Sequence, residues 1–154
     1  MKIKELTLSI EPRTGYGELK FGATTEAITE LLGPADDIEN IEDDDEFNTV
    51  ILSYWNHDLT IFFEGKEKSV VSCIETENQD STLFGQPVFQ MNEGQILKIM
   101  EEHGYKVAET EMETTGEKRI SYDDAMLDFF FSDGDLMAVN WGVLINDKGE
   151  IEEM

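Results

Sequence analysis

The chain has 154 residues with a single cysteine, and 35 acidic residues against 11 basic ones give a formal net charge of −24. One cysteine excludes an internal disulfide and any multi-cysteine zinc or iron–sulfur site, and a hydrophobic share of 40% excludes a disordered acidic chain. A surface this anionic repels phosphate backbones and anionic lipids, so the charge argues against nucleic-acid and membrane binding.

The length predicts a single domain over residues 1–154. Lys2 and Lys4 are not followed by an apolar run of signal-peptide length, and the longest apolar stretches are too short to span a bilayer. We therefore expect a cytoplasmic protein. A blander interpretation of the charge is that it only keeps the protein in solution, because net charge determines solubility and association rather than fold.

The first elements along the chain are a strand, a helix and an acidic loop. Residues 6–10 alternate apolar and polar side chains, as a strand does. Thr24 is a candidate N-cap for a helix that ends at Gly33. Residues 36–46 are mostly carboxylates that cannot pack into a core, so they predict a solvated loop. Calcium binding there is disfavoured because the spacing of an EF-hand loop is absent.

Strands follow this loop. In residues 50–55 and 59–63, alternate positions form two sets of side chains, as on the two faces of a strand, so each segment predicts a strand. Residues 70–74 predict a third strand after a turn. In the second half, Asn92 and Gln95 resemble a capping box at the start of a second helix. The strands predicted after that helix lie near residues 105–112, 119–122, 127–131 and 136–145.

The two halves align when the sequence is shifted by 68 residues. This offset places Phe21 on Phe89 in the helical segments and residues 59–63 on residues 127–131 in the strand segments. Because one offset aligns the apolar positions of both the helical and the strand segments, it predicts an internal duplication.

The duplication predicts repeats at about residues 19–77 and 87–145. A short helix must bury its apolar side against another element, and here the predicted strands supply a sheet for it to pack on. The expected fold class is therefore α+β, a tandem repeat of a short helix plus an antiparallel β-sheet, with the helices on one face of a concave sheet.

Residues able to carry catalysis are few and scattered. His57 falls in a predicted turn, His103 in the last turn of the second helix, and Cys73 in an apolar strand, where a small packed side chain is the ordinary interpretation. Nucleophile-elbow, metalloprotease-helix and phosphate-loop motifs are absent from the sequence. We expect no enzymatic activity, cofactor or metal. An enzyme that uses a buried His57 or a buried carboxylate is a third hypothesis.

The aromatic residues give a sharper signal. If the strand at residues 59–63 turns its alternate side chains towards the helices, Phe62 and its counterpart Phe130 lie on the opposite face. Tyr54, Trp55 and Trp141 flank the same hairpins. Large aromatic side chains on a second sheet face require another layer or a partner. Two interpretations stay open: mutual packing where the halves meet, or a binding platform with an acidic rim.

The segment from Phe21 to Pro34, FGATTEAITELLGP, resembles the opening of the small repeat shared by β-lactamase-inhibitor-like proteins and the outer-membrane assembly lipoprotein domain. That pattern continues through a variable loop into an aromatic strand pair, to which residues 52–55 and 59–63 correspond. The second half departs from it, because Glu101 and Glu102 stand where Gly33 and Pro34 would align. Over residues 19–142 the resemblance implies two helix-plus-sheet modules whose sheets form a concave surface. Those families are exported, so their partners are not transferred to this chain.

The first functional hypothesis is a non-catalytic protein-binding module, an inhibitor or immunity-type protein that neutralises a cationic enzyme. Its charge would speed the encounter with a basic protein, and its aromatic residues would be the anchors. The acidic run would mimic phosphates if the target were a nuclease. The predicted partner-binding residues are Tyr54, Trp55, Phe62, Phe130, Trp141, Asp43, Asp44 and Asp45.

The alternative hypothesis is a structural domain without a target enzyme. Its aromatic face would pair with a second copy across a two-fold axis, and the protein would be a homodimer.

Overall fold

The computed structural model describes residues 7–42, 48–65, 69–107, 109–114, 116–146 and 150–152. The strands in chain order are β1 (Ser9–Glu11), β2 (Gly15–Tyr16), β3 (Leu19–Lys20), β4 (Asp37–Glu42), β5 (Asn48–Tyr54), β6 (Leu59–Gly65), β7 (Val70–Thr76), β8 (Thr82–Leu83), β9 (Glu109–Met112), β10 (Glu117–Tyr122), β11 (Leu127–Ser132), β12 (Asp135–Gly142), β13 (Leu144–Ile145) and β14 (Ile151–Glu152). The helices are α1 (Thr25–Leu32) and α2 (Glu93–Glu102), and short 3₁₀ helices cover Trp55–His57 and Val88–Gln90.

The main sheet has eight antiparallel strands in the order β4-β5-β6-β7-β12-β11-β10-β9. Strands β7 and β12 join its two sides, with Ile74 opposite Trp141. A smaller sheet has the order β3-β2-β1-β8, in which β1 and β8 run parallel. Strands β13 and β14 form a separate antiparallel pair. Among the described residues, no helix is both long enough and apolar enough to cross a membrane.

Both helices begin at the caps that the sequence predicts. The Thr24 side chain accepts a hydrogen bond from the Ala27 backbone N–H, and α1 ends at Gly33 with φ at 84°. This left-handed region favours glycine. At the start of α2, Asn92 and Gln95 form the predicted capping box, each side chain accepting from the other's backbone N–H. The cap predictions are therefore confirmed.

The core lies between the helices and one face of the main sheet. Strand alternation buries three hydrophobic side chains of β6 and three of β11, while the residues between them are half-buried. The same core cluster includes Ile28 and Leu32 of α1 and Ile96 and Met100 of α2. The buried strand residues are Leu59, Ile61, Phe63, Leu127, Phe129 and Phe131.

The predicted fold class is wrong. Strands hold 48% of the described residues and helices 18%, and the strands that were expected as two modules form one eight-stranded antiparallel sheet. The chain is mostly β and is not a tandem helix-plus-sheet repeat. The physical reason is that backbone ladder bonds run continuously from β4 to β9. The helices, of 8 and 10 residues, are small elements beside this sheet.

The expectation of a solvated loop over residues 36–46 is also wrong in part. Residues 37–42 form β4, an edge strand paired with β5 along its whole length, from Asp37 opposite Ser53 to Glu42 opposite Asn48. Backbone hydrogen bonds make the ladder, so acidic side chains on an edge strand do not prevent it. The acidic run Asp43, Asp44 and Asp45 lies outside the described residues.

Candidate functional site

The face of the main sheet opposite the helices, which we call the open face, carries a polar row across all eight strands. Each member of this row pairs with the next in the strand register. Four of its eight side chains are carboxylates. In strand order the row is Asp37, Ser53, Thr60, Glu75, Asn140, Asp128, Ser121 and Glu109.

Two phenylalanines lie on the open face beside this row. Phe62 of β6 pairs with Ile51 and Cys73 on the neighbouring strands. Phe130 of β11 pairs with Arg119 and with Ala138. Both rings are half-buried, whereas the residues that alternate with them are buried in the core.

A groove of about 510 Å³ opens on the side of this face formed by β7 and β9 to β12. We call it the acidic groove, because five carboxylates lie around a floor that contains a phenylalanine and a methionine. The Met137 side chain is 53% exposed there. The lining includes Glu75, Glu77, Glu111, Glu113, Glu117, Arg119, Phe130 and Met137.

Two basic residues, Lys118 and Arg119, line this groove. Lys118 donates to the Glu93 carboxylate of α2 at 2.9 Å, whereas Arg119 projects from the open face. Its guanidinium donates to the Glu111 carboxylate at 2.7 Å and lies 4.0 Å from the carboxylate of Glu109. Its Nε is buried and, among the described residues, has no hydrogen-bond partner. The groove therefore already holds one guanidinium that is paired with carboxylates.

A second, smaller cavity of about 170 Å³ adjoins the acidic groove, because Glu75 and Glu77 line both. Trp55 and Asp58 also line it. The indole of Trp55 is 67% exposed. Aromatic rings and carboxylates thus follow one another along the open face.

Cys73 lies on the open face within a third cavity, of about 500 Å³. Its thiol donates to the Asn140 side-chain oxygen at 3.1 Å. Burial, together with the nearby carboxylates of Glu75, Glu64 and Asp128, raises the pKa of Cys73 to about 12. The thiolate is the nucleophilic form of cysteine, so this thiol is unreactive near neutral pH.

The two histidines lie in the turn and at the helix end that the sequence predicts. His57 belongs to the 3₁₀ helix after β5 and is half-buried. His103 caps the end of α2, with its ring stacked on Phe84 at 3.7 Å between centroids. In the described part of the chain, no three His, Cys, Asp or Glu side chains are grouped to hold a metal ion.

Of the predicted partner-binding aromatics, Trp55 is exposed and Phe62 and Phe130 lie on the open face. Tyr54 does not belong with them. It is 3% exposed, and its hydroxyl donates to the Gly33 carbonyl oxygen at 2.9 Å, at the end of α1. The reason is strand parity, because Tyr54 alternates with Ser53 and therefore shares the inward face of Leu52.

Trp141 is also a core residue and not a surface anchor. It is completely buried, its indole N–H donates to the Gly15 carbonyl oxygen at 3.0 Å, and its ring meets Tyr16 edge-on at 5.6 Å. The small sheet that contains β2 covers it. Neither Trp141 nor Tyr54 is available to a partner.

The sequence interpretation missed the carboxylates that define the groove. Glu75 alternates with the buried Ile74 and Thr76 in β7, so strand periodicity places it on the same face as Phe62. Periodicity gives no sign, however, that Glu111 and Arg119 lie near it, because those residues come from strands added after α2.

A scan of family models, a search of curated proteins and a search of solved structures each found no match to this chain. The resemblance to the β-lactamase-inhibitor-like and outer-membrane assembly lipoprotein repeats therefore stays a prediction, and the proposals below do not depend on it.

Proposed function

We propose that this protein is a non-catalytic binding module that docks a basic protein on the open face of its main sheet, as an inhibitor or immunity-type protein for a cationic enzyme would. The observation that carries the proposal is the acidic groove, where five carboxylates lie around the partly exposed Phe130 and Met137.

The charge operates at two distances. The net charge of −24 attracts a basic protein from afar and raises the association rate. Close to the surface, the carboxylates of the groove pair with basic side chains, while Phe130 and Met137 bury apolar area. This combination of an apolar centre and a charged rim supports a protein partner.

Self-association is the less favoured function. A second copy placed on the open face would set the carboxylates of Glu75, Asp128 and Glu109 against like charges, which is destabilising. The exposed sheet edges, β4 and β9, carry carboxylates too. A basic partner removes this repulsion.

A short peptide of alternating arginine and serine serves as a stand-in for a basic surface segment. Its affinity is measured by fluorescence anisotropy for the unchanged protein and for the double variant Glu113→Gln/Glu117→Gln. We expect the groove variant to bind at least about fivefold more weakly, with the affinity of the unchanged protein falling steeply between about 20 and 200 mM NaCl.

The matched control is Glu30→Gln/Glu102→Gln, which removes the same charge from exposed positions on α1 and α2. Non-specific attraction to the net charge weakens equally in both double variants, whereas docking in the groove is weakened mainly by the first. Equal losses of peptide affinity in the two double variants contradict the proposal. A peptide that binds the helices and thereby joins two copies of the protein contradicts it as well.

A further inference from the structure

The cavity beside Trp55 has a composition suited to a planar cation. Trp55 lines it together with the carboxylates of Asp58, Glu75 and Glu77. Its volume of about 170 Å³ is a third of that of the acidic groove, and the two cavities share both glutamates. A chain that lies in the groove therefore passes directly beside Trp55.

The turn that carries Trp55 is held firmly although its indole is exposed. The Trp55 backbone N–H donates to the Asp36 carboxylate at 2.7 Å, and its carbonyl accepts from the Asp58 backbone N–H at 3.1 Å. Asp58 is in the left-handed conformation, and its carbonyl accepts from the Glu77 backbone N–H at 2.9 Å. The ring is thus presented by a fixed backbone that is tied to the strand end at Glu77.

The Trp55 side chain is 67% exposed on this fixed turn, so its ring is accessible to a ligand. Tryptophan is also the best aromatic platform for a cation, and a guanidinium stacks on it while donating to carboxylates in its own plane. On the same face, Arg119 is the register partner of Phe130 and donates to the Glu111 carboxylate, so this face already holds one paired guanidinium.

We propose that Trp55, Asp58 and Glu77 form a subsite for one arginine side chain of the basic protein that docks on the open face. The inference rests on the proposed function and adds the identity of a recognised residue. The guanidinium stacks on the indole and donates to the two carboxylates. Lysine fits less well, because its ammonium is a point charge that cannot stack.

The two tryptophans make the test direct. Trp141 is completely buried and Trp55 is 67% exposed, so a ligand that covers Trp55 protects mainly that ring from acrylamide quenching. The probes are two peptides of equal length and charge, one of alternating arginine and serine, the other of alternating lysine and serine. We expect the arginine peptide to protect Trp55 and to bind about fivefold to tenfold more tightly than the lysine peptide.

The variant Trp55→Ala is expected to lower the affinity for the arginine peptide by a similar factor and to remove the preference for arginine over lysine. Asp58→Asn/Glu77→Gln is expected to weaken it as well. Trp55→Phe, which keeps an aromatic face, is expected to retain part of the preference. The near-ultraviolet circular dichroism of Trp141 verifies that each variant is folded.

The outcomes separate the two proposals. If Glu113→Gln/Glu117→Gln weakens binding selectively but Trp55→Ala does not, the docking face stands and the arginine subsite is wrong. Equal binding of the arginine and lysine peptides, or unchanged quenching of Trp55, also overturns the subsite. If neither double variant of the open face differs from the helix-face control, both proposals are overturned.

Discussion

Strand parity at single residues separates the aromatic side chains that build this protein from those that are available to a partner. Trp141 and Tyr54 point inward and are hydrogen-bonded in the core, whereas Phe62 and Phe130 point outward. Trp55 lies beyond the end of its strand, in a turn, and is therefore exposed. Both the buried and the outward-facing set consist of aromatic residues, so only their position along the strand or turn distinguishes them.

Trp141→Phe is expected to lower the free energy of unfolding by about 2–4 kcal/mol, because it removes buried volume and leaves the Gly15 carbonyl without its indole donor. Urea denaturation measures the loss. The control, Trp55→Phe, changes an exposed ring and is expected to stay within about 0.5 kcal/mol of the unchanged protein. Similar losses in both variants would contradict the assignment of the two tryptophans.

Cys73 is expected to resist alkylation. Its pKa of about 12, against 9.0 for an unperturbed thiol, lowers the thiolate fraction at pH 8 by about a thousandfold. Iodoacetamide should therefore react with the folded protein far more slowly than with the same protein in urea. Fast reaction of the folded protein would contradict the burial of this thiol.

The same shift has a defined effect on stability. Because the pKa of the Cys73 thiol is higher in the folded state than in the unfolded chain, folding favours the neutral thiol. This contribution is fully present below pH 9 and is lost as the pH rises towards 12. In the variant Cys73→Ala, the free energy of unfolding is accordingly expected to fall less steeply between pH 9 and 12 than in the unchanged protein.

Among the secondary-structure elements, the edge strands determine whether the main sheet grows by pairing with another molecule. Strand β4 exposes Ile38 and Ile41 at 60% and 46%, next to the carboxylates of Asp37 and Glu39. An edge with exposed isoleucines is a template for another strand, and charges of one sign oppose its pairing with a copy of itself.

Asp37→Asn/Glu39→Gln is expected to promote self-association, with the dissociation constant of the dimer falling at least about tenfold. Sedimentation velocity over a range of protein concentrations measures this change. The variant Glu30→Gln/Glu102→Gln removes the same charge away from the edge and is expected to leave association unchanged. If both variants associate equally, the effect belongs to net charge and not to the edge.

For the whole molecule, the net charge of −24 produces repulsion that favours the unfolded chain. Salt screens this repulsion. The urea midpoint is therefore expected to rise between about 10 and 200 mM NaCl, corresponding to about 1–2 kcal/mol in the free energy of unfolding. A flat or falling midpoint would mean that ion pairs such as Lys118 with Glu93 outweigh the repulsion.

Local signals in the sequence were sufficient to predict where the helices begin and which strand side chains lie on which face of the sheet. Thr24 and Asn92 cap helices because their side chains reach backbone N–H groups within three residues. Phe62 and Phe130 lie opposite the core because alternation is a property of each strand by itself. The anionic character of the surface follows from composition.

Only the tertiary structure decided which strands became neighbours. Strand β7 paired with β12 within one eight-stranded sheet, the small sheet closed over Trp141, and Glu75 came to share a groove with Glu111. These contacts link residues far apart in the chain, and a periodic pattern of apolar residues specifies a face but not the strand beside it. The fold class and the set of residues that line the acidic groove therefore depended on long-range pairing that no local pattern encodes.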